Sequence, residues 1–215
     1  MNIITMKNTS IRFLILLALC IGMSSCNSDD ENGMPLLEIE AQTITNLHAP
    51  QSGGQGQPIT GEFTKFDFST GQTTNSNTNW DIAFRGTTII VNGGSSLGTT
   101  DEPTRTGNAA AYIVDGTFPS ITEVDTNLFI QDSESGYAIA TGSENGWYFY
   151  NPQAFLITPI AGKILVFRTR DGKYAKVEIL SYYKDAPANP NAMTDEGRYF
   201  TFNYVYQPNL NTTTF

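Results

Sequence analysis

Alternation of apolar and polar residues is the main pattern along this chain. Phe66 and Phe68 alternate with polar neighbours, and Trp80, Ile82 and Phe84 repeat the pattern a few residues later. A period of two with aromatic and β-branched content predicts half-buried β-strands. Apolar residues rarely recur at a spacing of three or four, so no convincing helix is predicted. The pattern therefore indicates an all-β, mostly antiparallel single domain with long loops between its strands.

The clearest predicted element is a hairpin in the C-terminal third of the chain. Residues 164–167 run into Asp171-Gly172, and residues 174–180 return. Asp-Gly supplies the positive φ angles that a tight two-residue turn needs. On the return strand, alternation predicts a core face that is made of Ala175, Val177 and Ile179.

The last predicted strand, residues 198–206, is rich in aromatic residues. Alternation places four of them on one face, and such a face is more typical of sheet core than of a platform for a ligand. The four residues are Phe200, Phe202, Tyr204 and Tyr206.

The first 25 residues predict an export signal. The chain starts with a segment that contains Lys7 and Arg12 and no acidic residue. The apolar run 13–22 follows, and it is too short for a permanent membrane span. Ser24-Ser25 then precede Cys26, the order that is typical of a lipoprotein signal, in which the thiol of Cys26 takes a diacylglyceryl group and becomes the new N-terminus. The alternative is an ordinary secretory signal in which Cys26 is incidental.

These segments predict the organisation of the whole chain. Residues 1–25 form the signal peptide, residues 26–45 an acidic tether, and residues 46–215 the all-β domain. The tether begins with an acidic run, which by itself indicates a solvated spacer. Within the domain, the stretch from His48 to Pro58 is rich in Gly, Pro and Gln and is predicted to be a loop.

Charge and composition exclude several function classes. The chain has 12 basic and 21 acidic residues, so it lacks the basic stripe that nucleic acid binding requires. Without residues 1–25 the basic count falls to 10 and the net charge to −11. His48 is the only histidine, which leaves no His pair for a metal or haem site. With Cys20 in the signal and Cys26 acylated, the mature domain has no thiol for a disulfide or a metal.

Three other features each have a functional and a structural interpretation. Asp81 could act as a general base, but a single carboxylate without a paired acid is more typical of one that accepts hydrogen bonds from loop amides. Gly93-Gly94 could turn amides toward an anion, but no Gly-Lys-Ser ending and no helix follow, so a turn is favoured. The Gly-, Ser- and Thr-rich loop that continues to Asn108 is long enough to be functional.

Two places offer candidate ligand-binding residues. In the aromatic patch 146–152, alternation sends Trp147 and Phe149 to one face and Tyr148 and Tyr150 to the other. One face is expected to be core, and the other is free to touch a flat ligand. A thioether elsewhere, in the loop 185–195, can ligate haem, or it can be a flexible apolar loop residue. The candidates are Tyr148, Tyr150, Asn151 and Met193, and no catalytic residue or metal site is predicted.

Three groups of segments, in order, resemble the HmuY family of haem-binding lipoproteins. They are 79–85 with 91–94 and 107–111, then 146–147 with 163–168, 171–177 and 182–185, and last 198–206. The resemblance implies an all-β outer-membrane lipoprotein of Bacteroidetes, lipid-anchored and facing the cell exterior. Asp29-Asp30-Glu31 after Cys26 resembles the acidic export tag of such proteins. The family further implies capture of haem and delivery to a TonB-dependent transporter, without catalysis.

The chain departs from the family at the haem ligands. The resemblance implies two axial histidines or methionines on loops, but residues 131–136 contain neither, and Trp147 is followed by Tyr148, Tyr150 and Asn151. Two-histidine ligation therefore cannot carry over, and a haem ligand would be Met193, a tyrosine or none. The alternative function is a non-haem module that binds a glycan or a protein at the cell surface. A hydrolase with a carboxylate pair is a third possibility, although no acid lies in a recognisable motif.

Overall fold

The structure, a computed structural model, describes residues 35–54 and 56–215. The predicted signal peptide and residues 26–34 of the predicted tether, which include Cys26, lie outside these residues. No helix in the described ranges is long and apolar enough to cross a membrane. A short 3-10 helix spans Phe118–Ser120. The strands are β1 (Glu40–His48), β2 (Ser52–Gly54), β3 (Gln57–Thr60), β4 (Thr64–Asp67), β5 (Gln72–Thr74), β6 (Ile82–Arg85), β7 (Thr88–Val91), β8 (Ala110–Asp115), β9 (Tyr148–Asn151), β10 (Leu156–Pro159), β11 (Lys163–Arg168), β12 (Tyr174–Tyr183) and β13 (Gly197–Gln207).

Two antiparallel sheets form the body of the domain. The larger sheet has the strand order β1-β13-β12-β11-β8, and the smaller has the order β5-β4-β6-β7. The β2–β3 and β9–β10 hairpins are separate two-stranded ribbons. The strand pairs in the sheets and in both ribbons are antiparallel, which confirms the predicted fold class.

The two sheets pack face to face through aromatic side chains. Phe66 and Phe84 of the smaller sheet meet Phe202 of β13 with ring centroids 5.5 and 5.8 Å apart. Each of these rings is buried, and burying one such side chain contributes about 1.5–3 kcal/mol. The predicted core faces are confirmed, because this core also contains Ala175, Val177, Ile179, Phe200, Tyr204 and Tyr206.

The outer faces of both sheets are also partly covered. On the larger sheet, Tyr174 packs in a cluster with Tyr112, Val124 and Val166. The opposite face of β12 is therefore buried at its start, although alternation predicts a single core face for this strand. On the smaller sheet, the corresponding cluster is Phe63, Trp80, Ala83 and Ile90, with Tyr137 against it.

The β11–β12 turn differs from the predicted two-residue turn. The Thr169 amide donates to the Lys173 carbonyl at 2.8 Å, and this pair encloses a three-residue loop. Gly172 takes a positive φ of 88°. Asp171 does not; its carboxylate accepts a hydrogen bond from the Thr169 hydroxyl at 2.6 Å. A glycine in the left-handed region is what a three-residue hairpin loop requires.

The ordered domain begins earlier than the predicted boundary at residue 46. Strand β1 starts at Glu40 and pairs along β13, so the last part of the predicted tether is sheet. The register shifts between Ile44 and Leu47, where Asn46 has a φ of 56°. This bulge breaks the alternation of the strand and hides it in the sequence. The predicted loop 48–58 likewise contains β2 and the start of β3.

Candidate functional site

The aromatic patch of residues 146–152 leads into the β9–β10 ribbon. Trp147 is 1% exposed, and its Nε1 donates to the Thr87 carbonyl at 2.9 Å. Tyr148 is buried beside it, whereas Phe149 and Tyr150 are 40% and 36% exposed. The predicted alternation of faces is therefore wrong. Trp147 lies before the first residue of β9 and so takes no part in the alternation of that strand. Phe149 and Tyr150 lie farther along the two-stranded ribbon, where side chains on both faces are exposed to solvent.

Asn151 shapes the turn of the same ribbon. Its Oδ1 accepts hydrogen bonds from the amides of Gln153 at 3.0 Å and Ala154 at 3.3 Å. An Asn side chain that bonds backbone amides two and three residues ahead stabilises a turn. The acceptor of Asn151 is therefore engaged, and Tyr150 is the most exposed of the three ligand candidates in this patch.

Met193 lies on the loop between β12 and β13 and is 80% exposed. An ion pair between Lys184 and Glu196 at 2.9 Å closes the base of this loop. Asn46 and Asp185 exchange two hydrogen bonds, of 2.8 and 2.7 Å, that join the loop to the bulge of β1. The Met193 loop is thus held at its base while its thioether stays at the surface.

His48 ends strand β1 and does not lie in a loop. Its imidazole stacks on Tyr199 of β13, with ring centroids 4.4 Å apart and planes 12° apart. The Tyr199 hydroxyl donates to Glu196 at 3.3 Å, at the base of the Met193 loop. The structure therefore brings the only histidine of the chain to the same corner as the loop that carries Met193. We name this region the His48 corner. Sequence reasoning missed it because the bulge at Asn46 disguises β1.

The predicted ligand residues do not assemble into an enclosed haem site. Cavities of about 420, 780 and 230 Å³ occur among the described residues, and none of these three is lined by Tyr148, Tyr150, Asn151 or Met193. A single histidine excludes two-histidine ligation. The described ranges also hold no group of three or more His, Cys, Asp or Glu that is placed to bind a metal ion. The residues present do not fit an enclosed two-ligand haem site, and the ligand roles stay predictions.

The long loop after β7 is clamped by buried Asn92. Its Oδ1 accepts hydrogen bonds from the amides of Thr106 at 2.7 Å and Gly107 at 3.1 Å. A side chain at Gly93 would collide with the backbone oxygen of Ala109, so glycine here serves close backbone packing. These contacts favour the turn interpretation of the glycine pair over an anion site.

Arg105 fixes the far part of the same loop between two carboxylates. Its guanidinium lies 2.6 Å from Glu102 and 2.8 Å from Asp132, and all three side chains are at most 2% exposed. Asp132 also accepts hydrogen bonds from the amides of Val91 at 3.0 Å and Ala138 at 2.9 Å. Asp132 lies in the segment where the family resemblance implies a haem ligand, and here that segment supports the loop.

The two carboxylates around Arg105 differ in pKa. Burial raises the pKa of Asp132, against the opposing effect of its amide donors and Arg105. Burial also acts to raise the pKa of Glu102, but the Thr99 amide, Ser96 and Arg105 outweigh it and hold that pKa below its usual range. Arg105 therefore lies between one carboxylate whose pKa is lowered and one whose pKa is raised.

Asp81 has the structural role that the sequence predicts. It accepts hydrogen bonds from the amides of Phe68 and Arg170, each at 2.9 Å. The Arg170 guanidinium also bridges it to Asp67, at 3.1 Å and 3.2 Å respectively. Trp80 is fully buried beside it. The carboxylates of Asp81 and Asp67 are thus held by arginine and backbone in the fold.

A polar cleft of about 780 Å³ opens between the clamped loop and the edge of the smaller sheet. Strands β4 and β5 with Pro50 form one wall, and residues 101–106 form the other. We name it the polar cleft. Its polar lining includes Glu62, Lys65, Asn75, Asn77, Asp101 and Thr104.

The fold defines a class of protein: an all-β domain of two packed antiparallel sheets, with a long loop that buried contacts hold and with exposed side chains on its other loops. Residues 60–204 match the family model that is described as HmuY protein. This match covers most of the chain, which therefore belongs to the HmuY family, as the resemblance implied. Membership supports a haem-binding-type function at the level of the family. His48 lies outside the matched residues.

Several solved structures are similar to the chain. The apo HmuY analog of Tannerella forsythia has a TM-score of 0.49 and 15% identity, over 81% of this chain and 99% of that chain. A protein of Bacteroides vulgatus that is described as HmuY-like and haem-binding has a TM-score of 0.45 and 14% identity, over 80% of this chain and 93% of that chain. No curated protein matches the chain.

Proposed function

We propose that this protein is a lipoprotein of the outer membrane that captures haem or a similar flat ligand at the cell surface. It passes the ligand to a TonB-dependent transporter and performs no catalysis. The match of residues 60–204 to the HmuY family carries this proposal. The order of residues around Cys26 supports the lipid anchor, and the acidic run after it supports an outward-facing location.

The ligand is held at an open surface. The His48 corner supports this choice, because it brings an imidazole near the loop of an 80% exposed thioether. These are the two side-chain types that ligate haem iron most readily among the residues of this domain. Tyr150 on the β9–β10 ribbon is the competing candidate, with a phenol that is 36% exposed.

A haemin titration of the mature chain, followed through the Soret band, tests this function. We expect a saturable shift at micromolar haemin. Replacing the true axial ligand moves the band, so Met193→Leu, His48→Gln and Tyr150→Phe are compared. Each keeps the approximate bulk and removes the ligating atom.

Asn189→Ala, in the same loop as Met193, is the matched control and should leave the spectrum unchanged. The absence of any Soret shift at micromolar haemin would overturn the haem proposal. If the Soret shift were the same in all three variants as in the parent chain, the protein would bind the haem ring without any of these side chains as an axial ligand.

A further inference from the structure

The polar cleft differs in chemistry from the His48 corner. Its two walls present short hydroxyl and amide side chains, and each of these groups can both donate and accept hydrogen bonds. The volume of about 780 Å³ lies within the range of small-molecule sites, roughly 300–1,000 Å³. The hydroxyl and amide side chains of the lining are Thr64, Thr73, Thr74, Asn75, Asn77, Thr104 and Thr106.

The walls of the cleft are tied together before any ligand arrives. Asp101 accepts a hydrogen bond from the Gly61 amide at 2.8 Å, which joins the loop to the chain just before β4. Arg85 donates to the Gly61 carbonyl at 3.1 Å and to the Thr99 hydroxyl at 2.9 Å. The ion pairs of Arg105 hold the rest of the loop. A rigid wall lowers the ordering cost of binding.

The charge of the cleft disfavours anionic ligands. Of the three acidic residues that line it, Glu102 is paired with Arg105, so Glu62 and Asp101 remain against one basic residue, Lys65. The ammonium of Lys65 already donates to the Ser76 carbonyl at 3.0 Å and to the side chain of Asn77 at 3.2 Å. Like charges repel phosphates, sulfates, uronic acids and the propionates of haem. The favoured ligand is therefore polar and carries no negative charge.

We propose that the polar cleft binds a neutral oligosaccharide. Sugar hydroxyls both donate and accept, so they match the threonine and asparagine groups of the walls, while Glu62 accepts from neighbouring hydroxyls. Pro50 and Pro103 add apolar surface on the two walls for the faces of the sugar rings. The cleft adjoins the His48 corner, because Pro50, Thr64 and Thr73 also line a cavity that His48 lines, and the Thr64 hydroxyl donates to the His48 carbonyl at 2.6 Å. The proposal rests on the polar side chains of the cleft and does not depend on haem binding.

Calorimetric titration of the mature chain with maltohexaose, mannohexaose, xylohexaose and chitohexaose tests the proposal. We expect at least one of these probes to bind with a Kd below about 1 mM. Asn75→Ala and Thr104→Ala should each weaken that binding about tenfold, because each removes a hydrogen bond to the ligand. Asn189→Ala, an exposed asparagine outside the cleft, should leave it unchanged.

Two comparisons distinguish a neutral ligand from an anionic one, and the cleft from the haem site. A hyaluronan hexasaccharide, which is anionic, should bind more weakly than the best neutral probe. The change in the Soret band on adding haemin should be the same in Asn75→Ala as in the parent chain. The proposal is overturned if no neutral probe binds at 1 mM, or if binding persists in both cleft variants. It is also overturned if an oligolysine peptide binds more tightly and loses affinity in Glu62→Gln but not in the matched surface variant Glu134→Gln.

Discussion

Tyr204 of β13 is a buried residue whose hydroxyl lacks a hydrogen-bond partner among the described residues. The ring packs against Phe66 and Phe68 with centroids 5.8 and 5.6 Å apart, so the side chain belongs to the core. Burial raises the pKa of Tyr204 to about 12. A buried hydroxyl without a partner costs stability, whereas the ring around it contributes.

Tyr204→Phe should therefore leave the free energy of unfolding at pH 7 unchanged or raise it by about 1 kcal/mol. The folded pKa is raised from 10.0 to about 12, so above pH 10 the folded state keeps this proton while the unfolded state loses it, and the stability of the parent chain falls as the pH rises from 10 toward 12. The variant should accordingly lose less stability above pH 10 than the parent chain. Urea unfolding at pH 7 and at several values above pH 10 measures both effects.

Tyr182→Phe is the matched comparison for Tyr204→Phe. Tyr182 is also buried, with a pKa that burial raises to about 12, but its hydroxyl interacts with Arg198. Removing that hydroxyl should cost about 1 kcal/mol at pH 7. A similar loss in Tyr204→Phe would mean that the Tyr204 hydroxyl is satisfied by water.

At the scale of elements, the loop after β7 depends on one buried arginine. Arg105 lies between Glu102 and Asp132, two carboxylates that are at most 1% exposed. Removing one member of a buried ion pair leaves an uncompensated charge, which costs more than the pair itself contributes. A surface pair, by contrast, contributes about 0–1 kcal/mol.

Arg105→Ala should therefore lower the free energy of unfolding by about 3–5 kcal/mol. Lys163→Ala breaks an ion pair with Asp115, whose carboxylate side chain is 81% exposed, and should cost less than about 1 kcal/mol. Urea unfolding gives both values, and limited proteolysis within residues 97–106 reports whether the loop has opened. Equal effects of the two substitutions would show that the Arg105 network does not hold the loop.

At the scale of the whole molecule, the edge strand β1 completes the larger sheet. It covers one side of β13 and contributes buried Leu47 to the core. The bulge at Asn46 also joins β1 to the Met193 loop through Asp185. The segment before residue 46 is thus partly structural.

A chain that starts at Pro35 should keep the melting temperature of the longer chain. A chain that starts at Ala49 lacks the pairing of β1 and the burial of Leu47, so its free energy of unfolding should fall by at least about 3 kcal/mol. For a domain of this size that loss corresponds to roughly 6–12 °C. Circular dichroism melting of the two chains makes the comparison. An unchanged melting temperature for the shorter chain would restore the predicted boundary at residue 46.

Particular residues show why only part of the site could be predicted. Alternation correctly predicted which residues of β12 and β13 face the core between the sheets, because on both strands these residues recur at every second position. The alternation predicted around Trp147 failed, because that residue lies outside the strand and the ribbon beyond it is open. The pairing of Arg105 with Asp132 joins positions 27 residues apart, and no local pattern encodes such a contact.

The amino-acid sequence by itself determined the all-β class, the main core faces, the family and the exclusion of two-histidine haem ligation. Those properties depend on residue types and on a period of two, which are local. The tertiary structure decided that His48 lies at the corner of the Met193 loop and that Arg105 anchors one wall of the polar cleft. These depend on which distant strands become neighbours, and that is set by the packing of the two sheets.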